Sequence, residues 1–325
     1  MPRTRNSAKN NVARRNKTTL RKDRSRLRDA VKEQSLTNRN SLIARIVKGV
    51  KVVPFLGAGV AVPYGGKSWA VLLEDMATYF AAEDQPKFKS IVRYARTHAS
   101  YAKSPIGSGK KAKLDEAAAK FKASNSHLYY QFLSERGHSA SNISDREFLQ
   151  GHKNLCSLVD DIVITTNFDN SVEELIQKGE KHTKKVLVEK SLDVGDLVDP
   201  TVSVLKLHGE IDTPKTLVFS KDEYEDAYGD LNTKKVELAL TKRVPLLLQS
   251  IALTNIILFV GCSLEDDWTV RVLKALTSKF PKLNLYAIVE LPDFSNENYA
   301  EAYSCLLYTS PSPRDLSTSR MPSSA

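Results

Sequence analysis

Cysteine is nearly absent from this chain of 325 residues, with three copies at positions 156, 262 and 305 and no C-x-x-C pair. That scarcity excludes a disulfide framework and a zinc ribbon. Long hydrophobic runs are missing as well. The longest apolar stretch, "IILFV" with its neighbours, falls far short of the roughly 20 residues needed to cross a bilayer. No secretory leader is visible, because the first apolar run arrives only after residue 41. These absences predict a cytoplasmic protein with no membrane partner.

Net basic charge is lacking over most of the chain, although the whole carries +10. Residues 1–40 hold 13 Lys/Arg against 3 Asp/Glu, and the remainder holds 35 of each sign. A neutral body argues against a nucleic-acid groove in the main domain. The arm at 1–40 is expected to be exposed or disordered, with a helical pattern from about Leu20. If the body has a nucleic-acid or acidic partner, the arm is where it binds; a solvated tail is the alternative. The far end reads as foreign. "CLLYTSPSPRD" (305–315) and "SRMPSSA" correspond to a translated transposase-type sequencing adapter. Residues 305–325 are therefore set aside, and the natural chain is expected to continue past Ser304.

What remains, 41–304, alternates strand and helix patterns. Short apolar strands are predicted at 52–56, 161–166, 185–189, 203–207, 216–219, 255–260 and 284–289, and helices at 171–178, 222–228, 233–252 and 267–279. "NSLIARIVKGV" has helical spacing with Asn40 or Ser41 as a cap, and "KSWAVLLEDMATYF" resumes it after the first strand. Residues 81–155, rich in Ala, Lys, Ser and Tyr, read as a helical insertion placed to cover a cleft. The expected fold is α/β: a parallel Rossmann-like sheet covered by helices on both faces, with that insertion.

In such sheets ligands bind beyond the carboxyl ends of the strands, so the turn after each strand is informative. "KVVPFLGAGVAVPYGG" (51–66) ends a strand in Gly57-Ala58-Gly59, but Val62 stands where a dinucleotide fingerprint needs its third glycine. "ITTNFDN" carries Thr166, Asn167 and Asp169. An asparagine can orient a diol or a water, whereas Asp169, Asn170 or Ser171 could equally cap the next helix, with Ser171 and Glu174 at capping-box spacing. "LKLHGEID" presents His208 before Gly209, either as a base near neutral pH or as a structural hydrogen-bonder. "FVGCSLEDD" offers Gly261 and Ser263 for close approach to a ligand, or a tight turn with Asp266 as N-cap. The histidines at 98, 127, 138, 152 and 182 lie in helical or loop stretches and carry no functional expectation.

Taken in order, G-A-G, T-T-N-F-D, K-L-H-G and G-x-S-L-x-D resemble the SIR2-like family in its bacterial-type branch, over about residues 42–290; "LVFSKDEYEDAY" also looks like that branch. The resemblance implies NAD⁺ as substrate. Gly57, Ala58 and Gly59 would face the diphosphate, and Thr166 would line the same site. Asn167 would orient the nicotinamide ribose and water, with His208 as general base. Asp169 would hold the nicotinamide end, and Gly261 and Ser263 the adenosine side. It further implies an NAD⁺ glycohydrolase serving as an antiphage defence effector, controlled as a homo-oligomer or by an attached sensor. The chain departs from the family at Ala61, where Ser or Thr is usual, and at Lys67, where proline is common. It also lacks the Cys₄ zinc module of protein-deacylating sirtuins, so no metal is expected. Transfer to a protein acceptor (deacylation or ADP-ribosylation) and a catalytically silent nucleotide-binding signalling module are the alternatives.

Overall fold

The computed structural model describes residues 28–103, 112–136, 143, 146–188, 201–229, 241–262, 264 and 268–288. Residues 28–47 form a helix (α1) that runs straight through Asn40 and Ser41, so neither residue caps it. The described residues from Arg45 to Lys103 and from 112 to 288 belong to one compact unit, which contains everything discussed below.

Six strands make a single sheet: β1 (Val52–Leu56), β2 (Ile162–Thr165), β3 (Thr183–Leu187), β4 (Val202–Lys206), β5 (Ile256–Val260) and β6 (Leu285–Ile288). Their order is β3-β4-β2-β1-β5-β6, and every pairing is parallel. The central strands are continuous apolar runs because both faces are covered. One face packs Val53, Phe55, Leu205, Ile257 and Phe259 against α8 (Lys221–Tyr228), α9 (Arg243–Thr254) and α10 (Trp268–Lys279). The other packs Leu56, Val163 and Val204 against α6 (Gln150–Ser157) and α7 (Ser171–Lys178). The expected architecture is therefore observed. Pro54 cannot donate to a ladder, and β1 meets β2 only from Phe55 onward while pairing with β5 along its whole length.

A further expectation fails. Residues 216–219 are not a strand. Pro214–Thr216 is a 3₁₀ turn, and the N–H groups of Phe219 and Ser220 donate to the Glu223 carboxylate, 2.9 and 2.7 Å away, in the capping box that starts α8. A segment whose donors serve a helix cap cannot extend a sheet. The described residues of the insertion contribute no lining to the cavity beyond the strands. Its described helices α3 (Pro86–Ala102), α4 (Leu114–Ser124) and α5 (Ser126–Arg136) build a second core with α2 (Trp69–Ala82), centred on Phe80, Phe88, Phe121 and Phe132. It meets α8 and α10: Lys122 Nζ donates to Asp222 at 2.6 Å, and Trp268 Nε1 donates to Asp115 at 3.1 Å. Of the expected basic arm, 28–40 is helical, and its residues 1–27 lie outside the described residues, as do the expectations at 189, 233–240, 267, 289 and 305–325.

A buried ion pair ties β4 to α7. Lys206 has a fully buried side chain, and its Nζ donates to Glu173 Oε1 at 3.1 Å and to the carbonyl of Asp169. Removing one partner strands the other charge in a low-dielectric interior. Lys206→Met is expected to destabilise the fold by about 3–5 kcal/mol, and Lys206→Met with Glu173→Leu to recover much of that loss. Urea denaturation of both variants measures it.

Candidate active site

Chain order carries β1 to β2 on one side and returns it to β5 on the other, so a crevice opens beyond the carboxyl ends of β1 and β5. A cavity of about 360 Å³ lies there, within the range of small-molecule sites. Its walls come from all four motif turns: Gly57, Ala58 and Gly59, then Thr166, Asn167 and Asp169, then His208, then Gly261 and Cys262. Ser263 and Asp266 lie outside the described residues. No described residue of the 81–155 insertion lines it.

The glycines serve packing before they serve any ligand. Gly59 N–H donates to the Gly261 carbonyl at 2.9 Å, and Gly57 N–H to Val260 at 3.0 Å. A Cβ on Gly59 would stand 2.7 Å from the Gly261 oxygen, and one on Gly261, at φ +68°, 2.6 Å from Val60 N. Two backbones touch here and leave no room for side chains. Val60 and Ala61 close a 3₁₀ turn onto Gly57 and Ala58 at 3.2 and 3.0 Å. Among the described residues, the N–H groups of Gly57, Gly59, Val60 and Ala61 have backbone partners and that of Ala58 has none. The resemblance has Gly57, Ala58 and Gly59 face a diphosphate with their backbone groups; all three line the cavity, and the N–H groups of Gly57 and Gly59 are already bonded within the protein.

Asn167 is held at two points. Thr165 Oγ1 donates to the Leu56 carbonyl (2.8 Å) and accepts from Asn167 N–H (3.0 Å), while Asn167 Nδ2 donates to Ser171 Oγ (3.1 Å). Ser171 in turn gives both its N–H (3.1 Å) and its O–H (2.5 Å) to Asp169 Oδ1. Asp169 thus braces the start of α7 and lines the cavity as well. No Ser171–Glu174 capping box forms, because the Ser171 hydroxyl is spent on Asp169. With its amide nitrogen committed inward, Asn167 keeps Oδ1 as the acceptor for a ligand.

His208 follows β4 directly. Gly209, at φ +77°, turns the chain so tightly that a Cβ would lie 2.1 Å from the Thr216 oxygen. The ring is wedged between two tyrosines of α8, with Nε2 2.7 Å from the Tyr228 hydroxyl and Nδ1 3.5 Å from that of Tyr224. Tyr228 continues to Thr269 Oγ1 at 3.0 Å, and Thr269 reaches the cavity wall. Complete burial drives the His208 pKa down to about 3, so the imidazole is neutral at physiological pH.

Sequence reasoning missed the aromatic lining. Trp69, Phe168 and Tyr224 form much of the wall, and the Trp69 indole N–H is buried without a hydrogen-bond partner among the described residues. The available signal was the spacing of Tyr224 and Tyr228, four apart, which puts both on the face of α8 turned to His208. No cluster of three His, Cys, Asp or Glu that could hold a metal exists among the described residues. Nor is any described helix long and apolar enough to span a membrane.

His208 also makes stability pH-dependent. Its folded pKa lies below its ordinary 6.5, so the unfolded chain binds the extra proton and stability falls as pH drops from about 6.5 toward about 3. His152 shifts in the same direction by burial, so the comparison needed is parent against His208→Asn. The variant is expected to show a shallower loss of Tm between pH 6.5 and pH 4.

Residues 161–308 match the family described as SIR2-like domain. The chain is also 29% identical, over 221 residues, to the NAD(+) hydrolase ThsA of Enterococcus faecium; the match covers 67% of this chain and 38% of that protein. The chain therefore spans well under half the length of that relative. With a parallel six-stranded sheet and all four motif turns around one cavity, this chain is similar to the SIR2-like family, its residues 161–308 matching that domain.

Proposed function

We propose that this domain is an NAD⁺ glycohydrolase that cleaves the bond between nicotinamide and ribose. The observation that carries the reading is the meeting of Asn167 and His208, far apart in sequence, at one cavity beyond the β1–β5 crevice. The name of the Enterococcus faecium relative, an NAD(+) hydrolase, supports the same substrate.

In the proposed reaction the C1′–N1 electron pair leaves with nicotinamide, neutralising its pyridinium, and the ribose passes through an oxocarbenium-like state. Positive charge shifts toward C1′, so the site should contain acceptors and no adjacent cation. Asn167 Oδ1 accepts from a ribose hydroxyl or from the attacking water, and the Asp169 carboxylate adds negative potential. A buried, neutral His208 fits this need because it imposes no charge of its own. Its low basicity does not rule it out as base. Water bonding to an oxocarbenium carbon becomes strongly acidic, and a weak acceptor suffices to take its proton. Tyr224 and Tyr228 hold the ring in place. The defence role, NAD⁺ depletion under oligomeric or sensor control, is proposed with it on the family resemblance.

Nicotinamide release followed chromatographically should fall by about 100-fold or more in Asn167→Ala and in His208→Ala, the lower end of the usual effect of losing a proton-transfer or positioning group. Free ADP-ribose should accumulate without a protein acceptor. Label transferred to protein would favour ADP-ribosylation, and NAD⁺ bound but uncleaved would favour a silent module.

A further inference from the structure

We propose that Lys67 is the residue that binds the diphosphate of the dinucleotide. This rests on the NAD⁺ reading above. The diphosphate carries two negative charges, and the glycine turn cannot meet them. Of the N–H groups from Gly57 to Ala61, four are already bonded within the protein, and Ala58 alone is left. A phosphate site normally combines several donors with a cation. Among the described residues lining the cavity, Lys67 is the single cation, and Asp169 is the single carboxylate.

The cavity lining therefore holds one charge of each sign among the described residues. Asp169, with neutral His208, suits the cationic nicotinamide, and Lys67 suits the anionic linker. Lys67 is also free to act. Its Nζ lies 2.8 Å from Asp75 Oδ2, and both side chains are partly exposed, at 31% and 42%. A solvent-screened pair of that kind is weak, so an arriving diphosphate can draw the ammonium inward at little cost. Asp75 then holds the lysine at the rim when the cavity is empty.

Calorimetric titration of ADP-ribose into the parent chain, Lys67→Met and Lys67→Arg tests this independently of turnover. Lys67→Met is expected to weaken ADP-ribose binding by about tenfold, the usual scale for losing a charge-assisted bond, while Lys67→Arg stays within about threefold. The gap should narrow at about 0.5 M KCl, where charges are screened over a few ångströms. Adenosine, which has no phosphate, should bind parent and Lys67→Met alike. Equal ADP-ribose affinity in Lys67→Met, or an equal loss in Lys67→Arg, overturns the assignment while leaving the NAD⁺ reading standing. A parallel loss of adenosine affinity also overturns it, because the effect would then be on packing. A parent chain that binds neither ADP-ribose nor NAD⁺ defeats the underlying reading itself.

Discussion

The contact between two backbones, Gly59 against Gly261, sets the rest of the site. Parallel pairing of β1 with β5 delivers both turns to the same level, and the 2.9 Å hydrogen bond between them closes the sheet's open end into a wall. A side chain on either residue would push the turns apart. The cavity depends on that closure, since Ala58 and Gly261 line it from the ends of the adjacent strands β1 and β5. Glycine is needed there for steric reasons that hold whether or not a ligand is bound.

Around this wall, buried polar groups do what apolar packing cannot, which is to aim side chains. The Asn167 amide, the Ser171 hydroxyl and the Asp169 carboxylate form a short chain of bonds with each donor assigned, and Lys206 holds the Asp169 carbonyl from below. Satisfied networks of this kind rigidify what they contain. The Lys206–Glu173 pair costs desolvation, and it lies where it anchors the loop carrying Asn167 and Asp169. On the other side, Tyr224 and Tyr228 clamp His208, and Trp268 stacks on Tyr224 with rings 5.6 Å apart. Trp268 is bonded to Asp115, so the helical insertion supports the histidine through two aromatic contacts without entering the cavity.

Legibility followed the kind of signal involved. Strands β1, β2, β4 and β5 were readable because strands buried on both faces show as continuous apolar runs ending in polar or glycine turns. The turns carrying Asn167 and His208 were readable for the same reason. "TLVF" at 216–219 has an identical local appearance, but its N–H groups go to the Thr213, Pro214 and His208 carbonyls and to the Glu223 carboxylate, and β propensity says nothing about which acceptor wins. The glycine turn misled in a different way: composition announces that a backbone comes close, and only the fold says that the approaching partner is Gly261. The insertion's helices were visible in their periodicity, but their destination was not, because an apolar stripe specifies burial without naming its partner.

By itself the sequence determined the alternation of strands and helices, the parallel sheet they must form, and the residues that end each strand. These are local properties, written in periodicity and in the dihedral freedom of a few residues. The tertiary structure decided which donors in the glycine turn remain available, which tyrosines hold His208 and in what charge state, and that Lys67 reaches the same cavity as Asp169. Each of those depends on contacts between residues separated by tens to hundreds of positions, and on burial, which no local pattern encodes.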